Sequence, residues 1–348
     1  MQRSAVPRCA ILSVRSTGRP RAVKRREFIS LVGGAAATWP LPARAQQPAM
    51  PVIGYFSGRA HDAEAPLRIP FLKALAASGF TDGRNVAIEY RFAEGQDERL
   101  PALAAELVRR PVTMLVATDR PSALAAKAAT ATLPIVFASG ADSVQQGLVA
   151  SFTRPGGNAT GVTLFTTELG PKRLGLLRDL LPRPGTIAFV VNANSAFAAP
   201  QVREMQAAAQ SIGQPLLIVS VASEEQIDQA FASMAERKVV ALLYSANLWF
   251  QVISERLVAL AARHRIPALY EWREFVAAGG LMSYSTDRNE VGREVGGYVA
   301  RILKGEKPAD LPVVRSSRFE FVINLKTAKA LGLDPPLHLL QHADEVIE

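Results

Sequence analysis

The chain has 348 residues and a formal net charge of +9, and most of that charge lies near its N-terminus. The first 45 residues contain nine of the 40 Lys and Arg residues and one of the 31 Asp and Glu residues, which leaves 31 basic and 30 acidic side chains for the rest. That balance excludes the cationic surplus typical of nucleic-acid-binding proteins. The only cysteine, Cys9, is also N-terminal, so the rest of the chain offers no thiol for a disulfide, catalysis or a metal site.

The segment before residue 46 has the three parts of an export signal. A basic Lys24-Arg25-Arg26 head precedes a weakly apolar stretch over 28–41, and small residues follow up to Ala45. A membrane-spanning helix needs about 20 apolar residues, so this stretch is too short to serve as an anchor. The pattern predicts a twin-arginine signal that is cleaved after Ala45. The alternatives are a basic N-terminal arm and a helix buried in the fold.

The position of this signal bears on the start of translation and on localisation. Export signals usually carry their basic head near the first residue, so we expect translation to begin at Val23 rather than at Met1. No cysteine stands at the cleavage point, so lipidation there is not expected. The sequence therefore predicts a monomer that the twin-arginine translocation machinery exports to the periplasm.

Short β-rich runs alternate with Ala/Leu-rich helical stretches along the remaining chain. Strands are predicted at 52–56, 86–92, 112–117, 135–138, 187–191, 216–221, 239–244, 268–270, 281–284 and 319–323. Helices are predicted at 67–78, 99–109, 122–129, 169–181, 202–212, 224–237, 249–264 and 289–303, with a final helix capped by Asn324 and ending at Gly332. This alternation indicates an α/β fold with parallel sheets and helices on both faces, and the strands fall into two sets that favour two lobes.

Motifs for covalent chemistry or cofactor binding are incomplete. Gly54-Tyr55-Phe56-Ser57-Gly58 does not match the dinucleotide fingerprint, and the glycines of 156–161 lack the lysine of a phosphate loop. His338 and His342 are four residues apart but lack the glutamate of a zinc-protease motif, which favours a surface helix pair over a metal site. We therefore predict no catalytic residue, no cofactor and no metal.

Polar and aromatic residues recur where the predicted strands end. In open α/β sheets, ligands bind outside the carboxyl ends of the strands. The candidate ligand-binding residues are Ser57, Thr118, Ser139, Asp142, Asn192, Ser245, Glu271, Trp272 and Tyr284, and Asp119, Asn194, Asn247 and Ser285 extend the same pattern. Each residue could be an ordinary loop residue, but their recurrence predicts a cleft shared by two lobes.

Several longer segments together resemble one family. They are Pro51–Ser57, Gly83–Arg91, Ala138–Asp142, Gly147–Ser151, Arg154–Gly161, Tyr270–Tyr284 and Asn324–Gly332. These segments resemble the ABC-transporter substrate-binding proteins described as tryptophan/tyrosine-type. The resemblance implies the type I periplasmic binding protein fold, with two Rossmann-like lobes and three hinge crossings near Phe165, Ser285 and Ser316. It implies one lobe from 46–165 with 286–315, and another from 166–285 with 316–348.

The same resemblance implies a receptor that captures a small organic solute and delivers it to an inner-membrane ABC permease. The expected ligand is an aromatic amino acid, or a related small aromatic or branched carboxylate. We expect hydroxyls of Ser57, Thr118 and Ser139 at its carboxylate, Asp142 or Glu271 at its ammonium, and Tyr55, Trp272 or Tyr284 at its ring. The aromatic residues could instead belong to the lobe cores. The alternative functions are a secreted α/β enzyme acting on a small carboxylate and a ligand-sensing receptor module.

Overall fold

The computed structural model describes residues 50–166 and 168–348. The predicted export signal and both candidate start sites, Met1 and Val23, lie outside these residues. The strands are β1 (Val52–Ser57), β2 (Ala87–Phe92), β3 (Met114–Ala117), β4 (Ile135–Ser139), β5 (Ala159–Thr163), β6 (Ile187–Asn192), β7 (Leu216–Val221), β8 (Ala241–Tyr244), β9 (Ala268–Tyr270), β10 (Met282–Thr286), β11 (Val314–Arg315), β12 (Phe319–Asn324) and β13 (Glu345–Ile347). The helices are α1 (Ala65–Ala77), α2 (Leu100–Arg109), α3 (Arg120–Ala129), α4 (Gly170–Leu180), α5 (Ala198–Ser211), α6 (Glu224–Glu236), α7 (Leu248–Val252), α8 (Ser254–His264), α9 (Arg273–Ala277), α10 (Arg288–Leu303), α11 (Leu325–Ala330) and α12 (Leu337–His342).

The first sheet has the strand order β11-β5-β4-β3-β1-β2, and all its pairs are parallel. We call this sheet and its helices lobe 1. Successive residues of a strand face opposite sides of a sheet, and β3 shows the consequence. Met114 and Val116 pack into the core beneath α1 and α10, whereas Leu115 and Ala117 pack into the core beneath α2 and α3. A strand buried on both faces is apolar throughout, which explains why it could be predicted from the sequence.

Helix α10 returns the chain to lobe 1 by packing closely on α1. A Cβ atom at Gly292 would lie 2.3 Å from the carbonyl oxygen of Leu67, and one at Gly296 would lie 2.6 Å from that of Phe71. These distances are too short for any side chain, so the two glycines allow the helix backbones to touch. The contact fixes a C-terminal helix against an N-terminal one.

The second sheet has the strand order β13-β12-β10-β9-β8-β6-β7, and we call it and its helices lobe 2. Only the β10–β12 pair in this sheet is antiparallel. Asn324 caps α11 as predicted, since its Oδ1 accepts from the Thr327 amide at 3.0 Å, and Gly332 has a φ of 72°. The prediction that this helix is the last element is wrong, because α12 and β13 follow it. The predicted helix over 249–264 is also wrong as one unit, since it divides at Ile253, whose ψ of 22° leaves the helical region.

The chain passes between the two sheets three times: after β5, after β10 and after β11. Parallel-dominated sheets with helices on both faces confirm the predicted α/β two-lobe fold. The residue limits predicted for each lobe stay a prediction. None of the described helices combines the length and the apolar character that a membrane span requires.

Candidate ligand-binding cleft

A cavity lies between the lobes, at the carboxyl ends of strands from both sheets. Lobe 1 lines it with Arg59, Asp97, Thr118, Asp119, Arg120, Pro121, Ala138, Gly140, Leu164 and Thr166, and lobe 2 with Phe197, Ala246, Asn247, Leu248, Gln251, Glu271 and Trp272. This is the edge of an open α/β sheet where ligands are expected.

Arg59, just after β1, is a buried cation on the lobe 1 wall. Its Nη1 donates to Glu64 Oε2 at 3.3 Å and to the carbonyl oxygen of Thr118 at 2.9 Å. Burial disfavours the charged guanidinium, but the carboxylates of Glu64 and Asp119 outweigh burial and raise the pKa of Arg59. Arg59 is therefore a permanent positive charge held by the protein's own acids.

Asp119 connects the ends of β1 and β3. Its Oδ1 accepts from the Ser122 amide at 2.8 Å, which caps α3, and its Oδ2 accepts from the Gly58 amide at 2.6 Å and from the Ser57 hydroxyl at 2.8 Å. Both oxygens of this carboxylate are thus used within lobe 1. Asp119 shapes the wall of the cavity more than it offers an open acceptor.

Glu271, just after β9, differs from Asp119. Its residue is 9% exposed, and no side chain or amide of the described residues donates a hydrogen bond to its carboxylate. Burial raises the pKa of Glu271, and the positive charges of Arg173 and Arg59 oppose that rise. A buried carboxylate that faces the cavity without a direct donor favours a cationic group as its partner.

Trp272 follows Glu271 and places an indole ring against the cavity. The residue is 3% exposed, and the Arg288 guanidinium carbon lies 4.3 Å from the centre of its ring. Its Nε1 is buried and finds no hydrogen-bond acceptor among the described residues. The ring is thus fixed on one side by a cation.

Arg120 and Phe197 close the cavity from opposite lobes. The Arg120 guanidinium carbon lies 3.2 Å from the centre of the Phe197 ring. Burial lowers the pKa of Arg120 to about 10, even with Asp97 and Glu168 nearby, so this side chain remains positively charged at neutral pH. A second cation and a second aromatic ring therefore face the cavity.

Of the nine predicted ligand-binding residues, Thr118, Glu271 and Trp272 line the cavity directly. The Thr118 hydroxyl oxygen is buried without a partner among the described residues. Two more lie one hydrogen bond behind the wall. Ser57 donates to Asp119, and Asn192 Nδ2 donates to Asn247 Oδ1 at 3.2 Å.

The other four predicted residues do not line this cavity. Ser139 Oγ donates to the carbonyl oxygen of Ala141, and Asp142 Oδ1 accepts from the Val144 amide at 2.8 Å in a local turn. Ser245 lines a smaller neighbouring cavity in lobe 2.

The two tyrosines proposed for an aromatic ligand pack within the lobes. Tyr284 stacks on Phe319 with ring centres 5.7 Å apart. Tyr55 is fully buried, and its hydroxyl donates to Glu64 at 2.8 Å, so the core interpretation holds for this residue.

Five further residues of the cavity wall were not predicted from the sequence: Arg59, Arg120, Asp97, Phe197 and Gln251. Arg59 and Arg120 come two or three residues after strands, where the strand-end pattern could have identified them, but charged loop residues are usually solvated. Phe197 precedes α5 and Gln251 lies within α7, so neither stands at a strand end. No local pattern marks these two.

The structure also shows where the two C-terminal histidines lie. His338 and His342 both lie in α12, where His342 Nδ1 is 2.6 Å from the carbonyl oxygen of His338. Among the described residues, no group of three His, Cys, Asp or Glu side chains is arranged to hold a metal ion.

Comparison with known proteins identifies the family. The family model of ABC transporter substrate binding proteins matches residues 58–347. A tyrosine-binding protein of Clostridioides difficile (strain R20291) is 27% identical over 265 residues, which are 76% of this chain and 75% of that protein.

Two solved structures of substrate-binding proteins are also similar. The ABC domain from Streptococcus pneumoniae in complex with L-Trp has 27% identity and a TM-score of 0.77, over 85% of this chain and 99% of that chain. A ligand-free, open substrate binding protein with adhesive properties from Clostridium difficile has 26% identity and a TM-score of 0.65 over the same shares. Since the family model covers most of the sequence, this chain belongs to the ABC transporter substrate-binding proteins.

Proposed function

We propose that this protein captures an aromatic amino acid, or a related small aromatic or branched carboxylate, in the interlobe cavity and releases it unchanged to a membrane permease. The observation that carries the proposal is Glu271, a buried carboxylate that faces the cavity without a direct donor among the described residues. An α-ammonium group would supply the charge-assisted hydrogen bonds that this carboxylate lacks.

The carboxylate of the ligand would bind to donors on the lobe 1 side of the cavity. Arg120 is a half-buried cation on the cavity wall, and the nearby Thr118 hydroxyl has no partner among the described residues. A ligand carboxylate can accept hydrogen bonds from both groups, because the guanidinium and the hydroxyl are both donors. The wall therefore suits a zwitterion.

The apolar part of the wall suits an aromatic side chain. Trp272 and Phe197 contribute rings, and Leu164 and Leu248 contribute aliphatic surface. Ring contacts contribute about 0.5–1.5 kcal/mol beyond the burial of area, so an aromatic ligand gains more here than an aliphatic one.

The relatives support the same ligand class. One is named a tyrosine-binding protein, and one was solved with L-Trp. The fold superposes better on the L-Trp complex than on the open, ligand-free relative, with TM-scores of 0.77 and 0.65. This difference supports the interpretation that the described conformation is the closed one.

Location and delivery complete the proposal. Twin-arginine export would place the receptor in the periplasm, next to an inner-membrane permease. Replacing Arg25 and Arg26 by lysine should then retain the protein in the cytoplasm, as cell fractionation would show. Normal periplasmic yield in a strain that lacks the twin-arginine pathway would refute this part of the proposal.

Thermal-shift screening tests the ligand class. Aromatic amino acids should raise the melting temperature of the purified protein, since a ligand that binds only the folded state stabilises it. Mass spectrometry of small molecules that co-purify provides an independent identification. Stabilisation by sugars or metal ions alone would contradict the amino-acid assignment and leave the family assignment intact.

A further inference from the structure

Arg288, the first residue of α10, lies behind the Trp272 ring as seen from the ligand cavity. Trp272 lines the cavity, whereas Arg288 does not. The distance of 4.3 Å between the guanidinium carbon and the ring centre is well within the reach of a cation–π contact, about 6 Å. One face of the indole is therefore occupied by this cation, so a ligand ring can stack only on the other face.

Glu274 holds the guanidinium against the ring. Its Oε1 accepts a hydrogen bond from Arg288 Nη1 at 3.0 Å, and Glu274 stands in the first turn of α9, two residues after Trp272. The indole itself is fixed by no hydrogen bond, because its Nε1 finds no acceptor among the described residues. The position of the ring thus depends on packing, and Arg288 supplies the contact on one face.

Arg288 is an unfavourable residue for this position on grounds of stability alone. It is 6% exposed, and its Nε and Nη2 atoms are buried without acceptors in the described part of the chain. Burial lowers the pKa of Arg288, an effect that the charge of Glu274 opposes and that of Arg59 reinforces. A cation at the first residue of a helix also opposes the helix dipole. A buried charge with incomplete hydrogen bonding is weak evidence for a role in stability, which leaves its contact with Trp272 to be explained.

A cation on one face of an indole changes what the other face attracts. The faces of an aromatic ring are negative, which is why a guanidinium binds there. The charge of Arg288 draws electron density toward its own side, so the opposite face of Trp272 becomes less negative. That face then repels the negative face of an electron-rich ring less, and it loses attraction for an electron-poor ring.

We propose that Arg288 is a positioning residue that holds and polarises the Trp272 ring, so that the cavity prefers electron-rich aromatic rings, such as indole and phenol, to electron-poor ones. This inference rests on the proposed function, because it requires an aromatic ligand on the open face of Trp272. It goes further by naming the class of ring and a residue outside the cavity that selects it.

Titration calorimetry with L-tryptophan, and with tryptophans that carry increasing numbers of fluorine atoms on the indole, tests this preference. Each fluorine withdraws electron density and changes the size of the ring little. In the native chain, the affinity should fall about 2- to 10-fold from L-tryptophan to the most fluorinated compound. Arg288→Met removes the charge and keeps a side chain of similar length, so it should flatten or reverse this order. Arg288→Lys keeps a cation and should retain the native order.

Arg301→Met is the matched control. Arg301 lies in the same helix and also over a ring, that of Tyr298 at 5.7 Å, and neither residue lines the cavity. This variant should keep the native order of affinities. Arg288→Gln is a second neutral variant, which should give the same result as Arg288→Met. Melting temperatures show that each variant is folded.

The comparison between variants separates polarisation of the ring from other effects. Fluorination makes the ligand more hydrophobic for every variant alike, so the change in order carries the test. The native order in both neutral variants, or a uniform loss of affinity across the series, would overturn the role of Arg288 and leave the proposed function standing. No binding of any tryptophan to the folded native chain would contradict both.

Discussion

The guanidinium carbon of Arg120 in lobe 1 lies 3.2 Å from the centre of the Phe197 ring in lobe 2, so a cation and an aromatic ring join the lobes at the wall of the cavity. Such contacts contribute about 0.5–2 kcal/mol, depending on how far they are desolvated. Because the contact spans the cleft, its energy stabilises the closed form rather than either lobe alone.

Phe197→Leu should therefore weaken amino-acid binding by about 2- to 30-fold, while the melting temperature of the ligand-free protein changes little. Titration calorimetry measures the affinity. Phe152→Leu is a matched control, because Phe152 makes a similar contact with Arg315, at 4.8 Å, outside the residues that line the cavity. Equal losses of affinity in both variants would contradict a specific role for Phe197.

Glu271→Gln should reduce the affinity for an aromatic amino acid by about 10- to 100-fold, because the ligand ammonium loses a charge-assisted hydrogen bond. The same substitution should leave the protein as stable as the native chain or more stable, since burial raises the pKa of this carboxyl and its charge is disfavoured without ligand. Urea unfolding measures the stability. The exposed Glu236→Gln serves as the control for both measurements, and an unchanged affinity in Glu271→Gln would place the ammonium elsewhere.

The fraction of molecules in the closed form should rise as the pH falls from about 7 to about 5, and Asp97 provides the reason. Asp97 is exposed, but loss of hydration at the cleft, followed by the charge of Asp119, raises the pKa of its carboxyl to about 6. Opening the cleft removes lobe 2 from beside this carboxyl and lowers its pKa, although Asp119, in the same lobe, keeps part of the rise. An acid with a higher pKa in the closed form binds its proton more tightly there, so protonation favours closure.

Fluorescence transfer across the cleft, measured as a function of pH, tests this expectation. Asp97→Asn should remove the rise, whereas Asp62→Asn, on an exposed side chain of the same lobe, should keep it. A rise of equal size in Asp97→Asn would show that another group is responsible.

Gly292→Ala should destabilise the protein by about 1–3 kcal/mol, because its methyl group would be forced against the carbonyl oxygen of Leu67. Gly297→Ala, in the same helix, meets nothing within 4 Å and should be neutral or stabilise the protein by up to about 1 kcal/mol. The difference in the free energy of unfolding between the two variants measures the α1–α10 packing. Similar free energies of unfolding for both variants would mean that the close packing of α1 on α10 does not stabilise the protein.

The fold could be predicted from the sequence where burial determines the residue types. The central strands are apolar on both faces, and β3 and β6 stand out for that reason. The strand β13 was missed, and only the His338 and His342 pair indicated the short α12, because three to six residues carry too little periodicity to be recognised. The division between α7 and α8 was missed for a different reason. The break allows α7 to lie between the lobes, and a contact between lobes has no signal in the local sequence.

The site could be predicted only in part, for a related reason. The strand-end rule gives the position of a residue along a strand but not the direction of its side chain. Thr118 and Glu271 follow a strand and also line the cavity. Asp142 instead accepts a hydrogen bond from the nearby backbone, and Tyr284 packs on Phe319. Phe197 reaches the cavity only because the lobes meet, and no local pattern contains that information.

Titration calorimetry of L-tyrosine and L-tryptophan into the purified protein tests the central claim most directly. We expect saturable binding with one ligand per chain, weakened in Glu271→Gln and unchanged in Glu236→Gln. D-Glucose and divalent metal ions, titrated in the same way, should give no binding. Binding of glucose or a metal ion with no response to either aromatic amino acid would contradict the account of the cleft as a receptor for aromatic amino acids.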